Sequence, residues 1–477
     1  MPDPKPLVLD IDGTFIKSDM LFEAFWAGLG KDPIAVVKLS ARHFSKPAVL
    51  KAKLAQVAEI RTDLLPLQPQ VKALADEALA EGREVVLASA SDLSQVSRLA
   101  QDHGLSERVF ASNGVVNLKG EAKRDALVDA FGEGGFDYAG NEPADMPIWK
   151  AADRAIVVGD KASVAHLRDL DHDVQEITIE QNPRDWLRAM RPHQYVKNVL
   201  LFLPMLAAHD FSFGSIWLTL LGLVAFSAAA SCIYIVNDLL DLEADRLHET
   251  KCNRPFASGA VSIKSGMLLC VALGAFAVGL ASILSTEFLA VIAIYMTLSL
   301  AYSLKLKRMR WVDIAVLATL YALRVIAGAA ASGVEASIYM LIFIFPVFIT
   351  LGCVKRMTEL AKANTDARLP GRGYAKVDRP DLLNVAALGV VGALVVFWRY
   401  TLSPQAVALY PTQWLLWLAL VPIYIWLYRM VKIGWLGKMD YDPIVFALRD
   451  KMGMGIMLIV ISMMYYAAGI FQMLFGG

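Results

Sequence analysis

The chain has 477 residues, room for two or three ordinary domains. Hydrophobic residues make up 56% and charged residues 19%, which is apolar-rich against a soluble average. The 46 Lys and Arg balance the 46 Asp and Glu, so bulk charge gives no reason to bind nucleic acid. The four cysteines (Cys232, Cys252, Cys270, Cys353) form no CxxC pair and suggest neither a disulfide framework nor a zinc site.

Residues 1–180 read as a soluble domain. MPDPKPLVLD runs straight into a strand pattern without a signal peptide, so this part is expected to stay in the cytoplasm. Pro6–Leu9 is a short buried strand that leads into DIDGT. Residues 18–66 read as a helical cap, with Phe22, Phe25 and Trp26 on an apolar face. Glu84–Ala88, Val109–Ala111 and Ala155–Val158 are further strands. Strands alternating with helices predict a parallel α/β sheet. Residues 181–195 are basic and carry Trp186 and Tyr195, which suits a linker helix at a membrane surface.

From 196 to 477 the pattern predicts an all-α membrane domain. Nine spans are expected, at 196–209, 215–236, 265–285, 287–304, 311–331, 338–354, 382–402, 413–431 and 454–474. Lys and Arg crowd the loops after even-numbered spans. The loops after odd-numbered spans (AHDFSFG, STE, ASGVEAS, LSPQAVALYPTQ) hold neither. The positive-inside rule then predicts a multi-pass protein of the inner, cytoplasmic membrane. The soluble domain and charged loops face the cytoplasm, and the C-terminus lies outside.

Two constellations carry chemistry. In the soluble part, Asp10 and Asp12 flank one residue at a strand end, where α/β sheets bind ligands. Such a pair can hold a hard cation, and one carboxylate can attack a phosphoryl group while the other handles the proton. Ser89 ends the next strand, and Lys123 and Asp145 follow. Residues 5–175 thereby resemble the haloacid-dehalogenase (HAD) superfamily of phosphatases. The resemblance implies Asp10 as nucleophile, Asp12 as general acid/base, Ser89 and Lys123 as the second and third motifs, and Mg²⁺ held by Asp10, Asp12 and Asp145. Asn141 stands where that family often has an acid, and Asp160 in VVGDKAS is a lower-ranked competitor of Asp145.

In the membrane part, the second span ends in NDLLDLEADRLHETKCNRPFASG. On a helix, Asn237, Asp238, Asp241 and Asp245 fall within about 100° of arc, and Glu243 points away. Carboxylates at a span end are costly unless they bind cations, and Mg²⁺ on a diphosphate answers that need. Lys251 and Arg254 follow and can reach phosphate oxygens. Tyr302, Lys305 and Lys307 crowd one loop. Asp313 starts the fifth span, and Arg324 lies roughly 16 Å further along it, near the same angle. Lys355 and Arg356 open the loop after the sixth span.

NDLLDLEAD matches the first Asp-rich motif of the UbiA superfamily of intramembrane transferases, which residues 185–477 resemble. The second motif of that family has two acids; here Asp313 is followed four residues later by Leu317. RPHQYVKN, YSLKLK, VKRMTEL and ALRD are similar to the decaprenyl-phosphate phosphoribosyltransferase branch. The resemblance implies phosphoribosyl pyrophosphate as donor, a polyprenyl phosphate in the bilayer as acceptor, and Mg²⁺ as cofactor. Asn237, Lys251, Arg254, Tyr302, Lys305, Lys307, Asp313, Arg324, Lys355 and Arg356 are the candidates for binding the donor and its phosphates. Arg191, Gln194 and Lys197, just ahead of the first span where a lipid headgroup would arrive, are the candidates for the lipid phosphate; the division of the basic residues between donor and acceptor stays open. A homo-oligomer stays open. The rival readings are a prenyltransferase acting on an aromatic acceptor and a transporter with a regulatory domain.

Overall fold

The computed structural model describes residues 4–180, 182–363, 366–368, 372–439 and 442–470. The chain divides into two compact units. One is Met1–Met190 with Tyr234–Val271, and the other is Arg191–Ile233 with Ala272–Gly477.

The first unit opens with β1 (Leu7–Leu9), α1 (Met20–Lys31), α2 (Pro33–His43), α3 (Pro47–Val57), α4 (Pro69–Ala80) and β2 (Val85–Asp92). It continues with α5 (Leu93–Asp102), β3 (Val109–Ser112), α6 (Glu121–Phe131), β4 (Asp137–Gly140), α7 (Met146–Ala151), β5 (Ala155–Val158), α8 (Lys161–Asp169), β6 (Val174–Ile177) and α9 (Pro183–Met190). The six strands pair in parallel in the order β3-β2-β1-β4-β5-β6. Both faces are covered, as a parallel sheet requires. Leu7 and Leu9 enter one core with Met20, Ala24 and Val71, while Val8 enters the other with Leu127 and Trp149. The strand order reverses at β1, which leaves a crevice beyond its carboxyl end.

The remaining helices are α10 (Leu203–Ala207), α11 (Phe213–Leu240), α12 (Leu242–Arg246), α13 (Ile263–Leu284), α14 (Thr286–Leu304), α15 (Val312–Ser332), α16 (Ile338–Ala361), α17 (Arg379–Thr401), α18 (Pro404–Leu409), α19 (Gln413–Trp435), α20 (Pro443–Ala447) and α21 (Lys451–Ala467). Among the described residues, seven helices are long and apolar enough to cross a membrane: α11, α13 to α17, and α19. Nine were expected. The last, 454–474, is shorter as α21, and its final residues lie outside the described residues.

The expected first span, 196–209, is not a single α-helix. Pro192–Phe202 forms an 11-residue 3-10 helix, followed by the five-residue α10. In a 3-10 helix side chains recur every three residues. Asn198, Leu201 and Pro204 accordingly form one buried stripe. Their neighbours fix its direction within this unit. Tyr195 bonds Ser231 and Asn198 bonds Ser227, descending α11, while Asn198 and Leu201 meet Arg324 and Gly328, ascending α15. The segment therefore runs along α15 in the same direction. A Cβ at Gly328 would lie 2.0 Å from the Leu201 carbonyl oxygen, so this close approach needs glycine there. Eleven residues at about 2.0 Å and five at about 1.5 Å extend the segment roughly 30 Å.

Tyr234–Val271 belongs to the first unit, although the sequence pattern assigned it to the membrane domain. The reason is an ion pair and close packing against α1 and its flanks, described below. The Asp-rich segment is also not one continuous helix: α11 ends at Leu240, Asp241 is the break, and α12 resumes.

Candidate active sites

In the first unit, Asp10 follows β1 directly and is 7% exposed. Lys123 on α6 donates to Asp10 Oδ1 at 2.7 Å and to the Tyr138 hydroxyl at 3.0 Å, and it lies 3.6 Å from Asp145. Tyr138 in turn donates to Asp145 Oδ1. The turn after β1 aims Asp12 into the same crevice, where it accepts from the Met20 N–H at 2.8 Å and the Ser91 hydroxyl at 2.9 Å. Ser89, fully buried on β2, accepts from the Ser91 N–H. Gly13 has φ +77°, and a Cβ there would fall 2.3 Å from Asn141 Nδ2. Asp160, the competing acid, instead caps α8 by accepting from Ala162 and Ser163. Ser91, Tyr138 and the cap's Lys51, which donates to the Ala90 carbonyl, were missed in the sequence. The alternation in ASASD puts Ser89 and Ser91 on one side of the strand and was the available signal for Ser91.

Burial pushes the Asp10 carboxyl up to about 7 against the pull of Lys123, and burial with the neighbouring Asp19 pushes Asp12 up to about 6. Burial opposes the charge of Lys123, yet Asp10 and Asp145 hold its ammonium above the ordinary range. Two carboxyls kept this high accept a cation readily. The buried Asn141 Oδ1 has no hydrogen-bond partner. Asp10, Asp12 and Asp145 are not a preassembled group of three metal-binding acids, and Asp145 is engaged by Tyr138 and the Asn141 and Glu142 N–H groups. Mg²⁺ would therefore be met by the oxygens of Asp10, Asp12 and Asn141, with water and phosphate completing its shell.

This yields a pH-dependent prediction. Folded values raised above 3.8 mean that the native state holds more protons than the unfolded state between about pH 4 and 7. The stability contribution is full at low pH and lost as pH rises through 6 and 7. A bound cation offsets that loss. Millimolar Mg²⁺ is therefore expected to raise the melting temperature of the full-length protein by several degrees at pH 8 and hardly at pH 5. An equal shift at both values, read by differential scanning fluorimetry, would refute the pairing.

Also in the first unit, Asp238 and Asp245 are 2% and 3% exposed. The Arg254 guanidinium bridges them, with Nη1 at 3.2 Å from Asp238 Oδ1 and 2.6 Å from Asp245 Oδ2. Asp241, at the helix break, is partly exposed, and Glu243 is exposed. The Asn237 Oδ1 is buried without a hydrogen-bond partner. No group of three or more acid, His or Cys ligands is preassembled among the described residues. The oxygens of Asn237, Asp238, Asp241 and Asp245 still fit Mg²⁺, because this ion takes much of its shell from water and phosphate. Lys251 is exposed nearby in sequence.

In the second unit, Asp313 is fully buried in the first turn of α15. Arg356 grips it with Nε to Oδ2 at 2.6 Å and Nη2 to Oδ1 at 2.8 Å. Tyr302 donates to Asp313 and accepts from Arg356 and Arg372, and Glu359 takes the remaining Arg356 nitrogen. All three guanidinium nitrogens of Arg356 are thus engaged by protein. Lys197 and Lys355 both meet Asp442 Oδ2, at 3.0 and 3.1 Å, and Tyr321 donates to the same carboxylate. Asp442 was missed because no local pattern marks a loop carboxylate as the partner of two distant lysines. Arg324 bonds Asn198, the Leu320 carbonyl and Tyr295, and lies over the rings of Phe226, Tyr295 and Tyr321. Lys305 is exposed, while Lys307, Arg191 and Gln194 are half-buried.

Comparison with known proteins bears on this arrangement. A family model described as the UbiA prenyltransferase family matches residues 198–452. A Sinorhizobium fredii protein called "Uncharacterized protein y4nM" is 35% identical over 94% of this chain and 88% of its own length. "Nodulation protein NoeC" of Azorhizobium caulinodans is 32% identical over 56% of this chain and 87% of its own. A Corynebacterium glutamicum "Decaprenyl-phosphate phosphoribosyltransferase" is 34% identical over 46% of this chain and 68% of its own.

Proposed function

Because the chain belongs to the UbiA prenyltransferase family, we propose that it transfers 5-phosphoribose from phosphoribosyl pyrophosphate to a polyprenyl phosphate. The observation that carries this reading is the fate of Asp313. It is the one acid where the family motif has two, and Arg356 closes over both of its oxygens. A carboxylate spent in that way offers little to a second metal, whereas Lys and Arg are plentiful. A sugar donor and a phosphate acceptor bring three phosphate groups and need those cations. The 34% identity to a protein of that printed name supports the same choice.

Roles follow residue by residue. Asn237, Asp238, Asp241 and Asp245 hold Mg²⁺, which neutralises the leaving pyrophosphate when bound. Arg254 and Lys251 bind pyrophosphate oxygens. Lys305 and Lys307 take the ribose 5-phosphate. Arg191, Gln194 and Lys197 receive the lipid phosphate, with Lys197 and Lys355 held ready by Asp442. Arg356, expected to bind donor directly, instead fixes Tyr302 and Asp313, and Arg324 braces the 3-10 segment. The bond from ribose C1 to pyrophosphate breaks and a lipid phosphate oxygen bonds to C1. The acceptor is already an anion, so no general base is assigned.

We further propose that the first unit is a HAD-type phosphatase that removes the 5-phosphate. Asp10 attacks phosphorus, Asp12 protonates the departing ribose oxygen, and water releases phosphate from Asp10. Having both activities on one chain raises the product's local concentration. The topology proposed is the cytoplasmic one. Tyr234–Val271 and the N-terminal domain share a compact unit. The 3-10 segment, parallel to α15, supplies the outward crossing that α11 then reverses.

The test is a donor comparison on purified protein with Mg²⁺ and polyprenyl phosphate. Phosphoribosyl pyrophosphate should be turned over at least tenfold faster than geranyl diphosphate is with an aromatic acceptor. The opposite preference would establish the aromatic prenyltransferase reading.

A further inference from the structure

The Asp-rich segment does not stand alone. Arg246, the residue after Asp245, makes a two-pronged ion pair with Glu23 on α1, with Nη1 to Oε2 at 3.1 Å and Nη2 to Oε1 at 2.6 Å. Its third nitrogen, Nε, donates to the Ala257 carbonyl. The two side chains are 7% and 4% exposed. A buried charge persists when it is paired and fully hydrogen-bonded, as this one is.

The same contact is closed on a second side. Gly259 has φ +70°, and a Cβ there would lie 2.6 Å from Lys17 Cβ and 3.1 Å from Pro66 Cγ. A third tie is the Arg188 guanidinium, which donates to the Asn253 carbonyl. Each tie joins the segment bearing Asp238, Asp245 and Arg254 to the α/β domain. Glu23 also lies one turn from Met20, whose N–H holds Asp12.

We propose that Glu23, through Arg246, is a positioning residue for the Asp-rich diphosphate motif, so that the phosphatase-like domain is a structural part of the transferase. This rests on the reading of that motif as the donor's metal site. Arg246 enters α12 at its last residue, next to Asp245. Holding the Arg246 guanidinium against α1 restrains the α12 backbone. That restraint sets where Asp245 and, through Arg254, Asp238 present their oxygens. A metal site is sensitive to such support, since groups that orient the ligands govern affinity. The domain would therefore serve the transfer step without touching donor or acceptor.

The experiment uses the full chain with Glu23→Gln, Glu23→Arg and the exchanged pair Glu23→Arg/Arg246→Glu. For each, transfer from phosphoribosyl pyrophosphate, hydrolysis of p-nitrophenyl phosphate and hydrogen exchange of amides 238–258 are measured. Glu23→Gln should lower transfer kcat/KM at least tenfold, mainly through KM for the Mg²⁺-bound donor. It should keep ester hydrolysis within threefold and speed exchange in the segment tenfold. The exchanged pair should recover transfer to within threefold of wild type. Unchanged transfer and exchange in Glu23→Gln would overturn the proposal. So would a parallel loss of both activities that the exchanged pair does not repair. If wild type does not use phosphoribosyl pyrophosphate but exchange still quickens in Glu23→Gln, the donor reading fails and the clasp stands.

Discussion

Asp10→Asn is expected to stop phosphate release by at least about a thousandfold, because an amide is no nucleophile toward phosphorus. The 5-phosphorylated lipid should accumulate, since nothing in the transfer step uses Asp10. The substitution is nearly isosteric, and Lys123 keeps Asp145 at 3.6 Å and Tyr138 at 3.0 Å. The stability cost should therefore be on the order of 1–3 kcal/mol rather than the loss of the domain. Mass spectrometry of the lipid product, with an assay for inorganic phosphate, separates the outcomes. Continued phosphate release would remove Asp10 from its role. Absence of any dephosphorylated lipid from the wild-type protein would disconnect the two activities.

Asp238→Asn and Asp245→Asn should each reduce transfer by about 10²–10³, the usual effect of losing one group that stabilises developing charge. Both carboxylates are almost fully buried and share Arg254, so the mutants also leave that guanidinium with a weaker partner. Glu243→Gln, on the exposed side of α12, should stay within about twofold, as surface changes commonly do. Pyrophosphate release gives the rate. If Glu243→Gln proves as damaging as Asp245→Asn, the one-sided reading of the segment is wrong.

Much of this was legible in the residues. The parallel sheet followed from short buried runs alternating with helices, and the structure has it, with β1 at its centre. The Asp-rich segment stood out because four polar residues shared one angular sector at the end of an apolar run. The 3-10 segment was misread as an α-span because its apolar length was scored without its period. The recurrence of Asn198, Leu201 and Pro204 at three-residue spacing was there to be read.

Partners far apart in the chain were another matter. Nothing local says that Arg356 belongs to Asp313, that Lys197 and Lys355 converge on Asp442, or that Glu23 reaches Arg246. By itself the sequence determined the classes of structure and the places where charge is too costly to be idle. Those properties come from composition and period, which act over neighbouring residues. Only the tertiary structure decided which charges are already spent on one another and which unit carries the Asp-rich segment. Those outcomes depend on packing between residues remote in sequence, where desolvation forces a buried charge to find whichever partner the fold brings near.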